Sequence, residues 1–111
     1  MNIEMQEGVI GMEQYELAEL VISRQEETFH LRFASAQLVI VTDLGSKLWY
    51  VDVSGISQTG MLQALNVSED IKVDLEAVTA GGRRYRGTGY MHPNVIHQAA
   101  AIRGDGELVI D

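Results

Sequence analysis

Residues 71–91, IKVDLEAVTAGGRRYRGTGYM, decide the fold. The first half alternates with a period of two: Ile71, Val73, Leu75 and Ala77 share one face, while Lys72, Asp74 and Glu76 point the other way. A half-buried strand requires that pattern, because successive side chains leave it on opposite faces. Ala80-Gly81-Gly82 then supplies residues that tolerate positive φ, and Arg83–Met91 returns as the second arm of a hairpin. A three-residue loop sets Arg84 and Arg86 on the outer face with Asp74 and Glu76. The inner face is then Val73, Leu75, Ala77, Gly87, Gly89 and Met91. Opposite charges across the pair favour this register, whereas a two-residue loop shifts it by one.

Upstream of the hairpin the same period recurs. Phe29, Leu31 and Phe33 alternate with His30 and Arg32, and Gln37–Thr42 carries the apolar run Leu38-Val39-Ile40-Val41. Asp43-Leu44-Gly45-Ser46 reads as a turn. Lys47–Val53 follows, with Trp49, Val51 and Val53 on one face and Leu48, Tyr50 and Asp52 on the other. Met61–Asn66 fits either a strand or one helical turn. Downstream, His92-Pro93-Asn94 reads as a turn, Val95–Ile102 as an alternating strand and Arg103-Gly104-Asp105-Gly106 as a tight loop before a final strand, Glu107–Ile110. Six or seven short strands with frequent turns predict a mainly β chain, a small antiparallel β-barrel or sandwich. Phe29, Leu31, Phe33, Trp49, Val51, Val73 and Leu75 are expected to converge in its core. Glu13–Ile22 is open between two readings: Leu17, Leu20 and Val21 suit a short N-terminal helix, while Tyr15, Leu17 and Val21 suit a strand with Glu19 as the misfit.

The 111 residues make one domain, an acidic leading segment (1–27) joined to a β body (28–111) with no linker between them. The leading segment holds seven glutamates against Arg24, whereas the body holds nine acids and seven bases. The net charge of −8 disfavours duplex nucleic acid as a partner. With no cysteine there is no disulfide framework and no thiolate site. Neither a membrane-spanning apolar run nor a basic-then-apolar leader is visible, so a cytoplasmic protein without membrane contact is expected.

Motifs for chemistry are sparse. His30, His92 and His97 lack metal-ligand spacing, and no serine sits in a nucleophile elbow, so neither a metal nor a cofactor is expected and the chain reads as non-enzymatic. Asp74 and Glu76, two apart on one strand face, fit an ion-paired surface with Lys72 and the facing arginines better than an acid–base pair. Gly87 and Gly89 lie inside an alternating strand, which points to a barrel bend or a close backbone approach rather than a phosphate loop. The Arg103-Gly104-Asp105 tripeptide matches an adhesion-ligand motif but reads as a turn. The basic concentration is Arg83, Arg84 and Arg86. Guanidinium groups bind phosphate in a bidentate fashion, so these three with Tyr85 and Tyr90 as stacking surfaces are the candidate ligand site.

Asp52-Val53-Ser54 with Gly55 loosely resembles the D-x-S-x-x-G stretch of PilZ domains, six-stranded barrels that bind cyclic di-GMP. The resemblance covers about six residues and implies a cyclic-dinucleotide sensor. The glycine is not at the family's spacing, and the arginine pair upstream has no counterpart, since Arg24 and Arg32 are eight apart. Length, acidity and the closing Gly104–Leu108 stretch are similar to small β proteins of phages or mobile elements.

Two functions follow as expectations. The first is a β module acting through protein–protein contact and self-assembly as a homo-oligomer, because Leu108-Val109-Ile110 wants cover on both faces and edge strands recruit partners. The second is a small-molecule or nucleotide sensor built on Arg83, Arg84 and Arg86. Met5, Val9, Ile10 and Met12 are apolar enough that residues 1–12 are expected to dock on the body or on a neighbouring subunit.

Overall fold

The computed structural model describes residues 10–111; of residues 1–12, expected to dock, 10–12 pair with 41–43, and 1–9 lie outside the described part. The chain runs β1 (Ile10–Arg24), β2 (Glu27–His30), β3 (Ser35–Asp43), β4 (Ser46–Ser54), α1 (Thr59–Val67), β5 (Lys72–Thr79), β6 (Arg84–Asn94) and β7 (Ala99–Ile110). Hydrogen-bonded neighbours follow the order β1-β3-β4-β7-β6-β5, and β5 pairs with β1 to close a six-stranded antiparallel barrel. The extra strand, β2, adds to the C-terminal end of β1, Val21–Arg24. Closure removes most of the edges that a sheet of this size otherwise exposes.

The central hairpin has the register that the charge pattern favours. Val73 faces Gly89, Leu75 faces Gly87, Glu76 faces Arg86 and Ala77 faces Tyr85. The core gathers Leu31, Trp49, Val51, Val73 and Leu75 as expected, with Phe29 and Phe33 packed against its margin. Leu20, Ile22, Leu38, Leu62, Leu65, Met91 and Ile102 fill the rest.

Residues 13–22 are strand, not helix, and the misfit at Glu19 has a cause. The β1–β5 register shifts between Leu17 and Glu19, a β-bulge. Before it the odd positions Tyr15 and Leu17 turn inward, and after it Leu20 and Ile22 do. A bulge adds one residue and reverses the phase of alternation. Leu17 and Leu20 therefore share a face at a spacing of three, which imitates a helix.

Of the two readings of Met61–Asn66 the helical one holds: the stretch belongs to α1, which buries Met61, Leu62 and Leu65. Two further expectations are corrected. His92-Pro93-Asn94 is no turn: β6 runs through to Asn94, and the reversal comes at 95–98, where Gln98 takes φ +50° and the Asn94 side chain accepts from the His97 N–H. Pro93 fits there because it lies beyond Lys72↔Tyr90, the last β5–β6 pair, so one edge of β6 carries no ladder. Finally, Arg103–Gly106 is no loop but the middle of β7. Its register against β6 shifts between Arg86 and Thr88, and Gly106 absorbs the distortion at φ +86°.

The barrel has two unlike ends. The chain leaves β4, passes through α1 and enters β5 at one end, so α1 covers the core there with Leu62 and Leu65 at 0% and 1% exposure. At the other end β1, β3 and β4 outrun their neighbours. The β4–β7 ladder stops at Tyr50↔Arg103, and the β1–β5 ladder stops at Leu17↔Thr79. Beyond those pairs Ile10–Glu16, Gln37–Asp43 and Ser46–Trp49 form a three-stranded lobe whose outer edges carry no ladder among the described residues.

Candidate functional site

The open end is the place where charged and aromatic side chains converge. Where β4 and β7 part, the Trp49 indole fills the gap and donates from Nε1 to the Gly106 carbonyl at 3.0 Å. Glycine is required beneath it: a Cβ on Gly104 would collide with the indole, and one on Gly87 would come within 2.8 Å of it. A Cβ on Gly89 would meet the Arg103 carbonyl at 2.6 Å, so both glycines of the 87–89 stretch mark close approaches. Beside the indole lies a cavity of about 870 Å³ walled by Tyr15, Trp49, Tyr85 and Leu108 and rimmed by Glu13, Lys47, Arg83 and Glu107.

Local structure explains how each side chain arrives. Tyr15 precedes the β1 bulge and so still faces inward, where its ring meets Tyr85 at a centroid distance of 5.8 Å. Its hydroxyl donates to Glu13 Oε1 at 2.9 Å. That bond to a carboxylate, followed by the Tyr85 hydroxyl, favours the neutral phenol and pushes the Tyr15 pKa up to about 12. Arg83 closes the β5–β6 turn, where its N–H donates to Thr79 Oγ1 at 3.0 Å. The Tyr85 hydroxyl, and then the field of Tyr85 and Tyr15, favours the Arg83 cation.

The sequence-derived site does not hold together as one cluster. Arg84 and Arg86 lie on the outer wall, Arg84 3.8 Å from Glu76 and Arg86 2.9 Å from Asp111. Arg86 also donates from Nε to both Asp111 carboxylate oxygens at 3.0 Å, which favours its cation. Asp74 accepts instead from Thr88 at 2.7 Å. Tyr85 is buried at 2% exposure and is a core residue rather than a surface stacking platform. Tyr90 is exposed on the outer wall, cross-strand from Lys72 and Arg103. Of the five residues, only Arg83 and Tyr85 meet at the cavity.

Sequence reasoning passed over Glu13, Tyr15, Lys47 and Glu107. They sit on three strands, and only the closure of β1 against β5 and the parting of β4 from β7 bring them to one rim. The alternation of Trp49 with Val51 gave its burial but not its place in the gap.

The remaining motifs have structural roles. Ser54 Oγ lies 2.8 Å from Ser35 Oγ, and Gly55 takes φ +70° against Ala34. Arg24 donates to Ser68 and to the Asp70 carbonyl, and Arg32 donates to Ser57, so neither arginine is directed to Asp52 and Ser54. Among the described residues no group of three or more His, Asp or Glu side chains is placed to hold a metal ion. Among the same residues no helix is long and apolar enough to cross a membrane. No family model, curated protein or solved structure matches this chain.

Proposed function

We propose that this protein is a non-enzymatic β module that works by docking to protein, in the first place to further copies of itself, through the three-stranded lobe at the open end. The supporting observation is that the lobe is apolar on its outer face as well as its inner one. Cross-strand pairing aligns Met12, Val41 and Leu48 in one row, and Tyr50 flanks it in the next, where Gln14 lies opposite an already covered Val39. Met12 and Leu48 are 63% and 66% exposed, and Leu44 at the hairpin tip is 76% exposed. Scattered apolar side chains are ordinary on a surface, but a contiguous sheet face beside open edges is what interfaces use.

Charge favours a second copy as the occupant. The β1 edge of the lobe carries Glu13 and Glu16, and the β4 edge carries Lys47. The β1 edge of one copy and the β4 edge of the next are therefore complementary, a head-to-tail contact between unlike surfaces. Lys72, Arg84 and Arg86 on the outer wall, by contrast, are already matched with Asp105, Glu76 and Asp111 as exposed ion pairs and offer little chemistry of their own.

Light scattering across a wide concentration range tests the reading. The mass is expected to rise above 12.3 kDa with concentration. The pair Met12→Lys and Leu48→Lys, both exposed, is expected to hold it at the monomer value without loss of fold. A wild-type protein that stays monomeric throughout, or a double variant that assembles equally well, contradicts it.

A further inference from the structure

We infer that the cavity at the open end is a binding site for a small molecule consisting of a flat ring and one anionic group, anchored by Arg83. The inference does not depend on self-assembly. It rests on the unequal treatment of the arginines and on the walls of the cavity. Arg84 and Arg86 each have a carboxylate within 4 Å, whereas no ion pair with Arg83 or Lys47 is formed among the described residues. Both cations line the same cavity as Tyr15, Trp49 and Tyr85. A guanidinium that meets a hydroxyl but no carboxylate keeps donors for a carboxylate or phosphate, and the partly exposed Tyr15 ring is suited to the flat face of a ring.

The volume agrees with this class of ligand: about 870 Å³ lies inside the range of roughly 300–1,000 Å³ typical of small-molecule sites. Glu13 sets the orientation. Its carboxylate, held by the Tyr15 hydroxyl, repels an anion from the β1 side and offers an acceptor to an N–H on the ring. The anion then lies toward Arg83 and the ring toward the partly exposed Tyr15 and Leu108. The overall charge of −8 works against anions at long range, so binding depends on these contacts and weakens when Arg83 is removed.

Titration calorimetry on the full chain, with Trp49 fluorescence as a second readout, tests the site. The probes are a nucleoside 5′-monophosphate, an indole carboxylate, neutral indole and inorganic phosphate. One or both ring anions are expected to bind, and which one does distinguishes phosphate from carboxylate; neutral indole and phosphate alone are expected to bind far more weakly. Arg83→Ala is expected to weaken binding by roughly ten- to a hundredfold, the usual worth of a hydrogen bond to a charged group. Arg83→Lys should recover part of that loss, and Arg84→Ala should change nothing. Because the turn is tied through the Arg83 backbone N–H and carbonyl, both of which the variant keeps, Arg83→Ala should melt close to the wild type. Failure of both ring anions to bind overturns the inference, as does equal binding of phosphate alone or an equal loss with Arg84→Ala. Repeating the titration on Met12→Lys, a substitution outside the cavity lining, at a concentration where light scattering gives the monomer mass separates the two readings, since retained binding in a monomer leaves the site standing whether or not the chain assembles.

Discussion

The two ends of the barrel differ in how they treat their backbone and their core. At the α1 end side chains tie strand ends and connecting segments to one another. Gln58 alone accepts from the Arg32 N–H at 2.7 Å and donates to the His30 carbonyl at 2.9 Å, while Arg24 reaches Ser68 Oγ and the Asp70 carbonyl at 3.0 Å each. Ile56, Leu62 and Leu65 are out of water. At the lobe end the ladders stop early, the rings of Tyr15 and Trp49 line a cavity, and Met12 and Leu48 remain exposed. One end spends its residues on stability, and the other keeps its surfaces available. Recognition is commonly carried by such less saturated regions, because unpaired edges and unmatched charges are what a partner completes.

The largest expected effect belongs to the closed end. Leu65→Ala should destabilise by about 2–5 kcal/mol in urea unfolding, the usual range for a buried large-to-small change. Leu48→Lys at the open end should stay within about 0.5 kcal/mol, as exposed substitutions do. If the two losses were alike, the contrast between the ends would fail.

Next comes the boundary between them. Gly104→Ala should cost about 1–3 kcal/mol by overpacking, because the new methyl collides with the Trp49 indole. The ring must then leave the gap and its bond to Gly106, so Trp49 emission should shift toward the red. An unchanged spectrum with unchanged stability would mean that β4 and β7 are not held apart by the indole.

The smallest effect is a titration. One of the four tyrosines should ionise late, near pH 12, in a tyrosinate absorbance titration, and Tyr15→Phe should remove that step. A tyrosine pKa raised by folding stabilises the folded chain while the phenol is neutral. The contribution is therefore complete below the unfolded value of about 10 and is lost as the pH rises through about 12. Glu13→Gln should move the step back toward 10, since the bond to Glu13 is the leading cause.

How far the sequence foretells this molecule varies with the physics of each segment. Residues 71–91 are legible because alternation, loop glycines and cross-strand charge all agree on one register. Residues 13–22 are not, because a bulge at 17–19 reverses the phase and counterfeits helical spacing. The helix at 59–67 lacks a side-chain N-cap, acids in its first turn and bases in its last, so little in the chain announces it. Residues 92–98 mislead through their proline, which a strand accepts only beside an empty edge. The candidate site is the least legible part. Clustering along the chain points to Arg83, Arg84 and Arg86 together, but alternation sends Arg84 and Arg86 outward and leaves Arg83 at the turn. Their neighbours in space come from strands far away in sequence.

Hydrogen exchange at two protein concentrations tests most directly whether the open end is the recognition end. On concentration, amides of Ile10–Glu16 and Ser46–Trp49 are expected to gain protection, while those of α1 and the 55–58 segment stay as they were. Protection that rises at the α1 end instead, or that does not change at the lobe while the mass increases, would contradict the account.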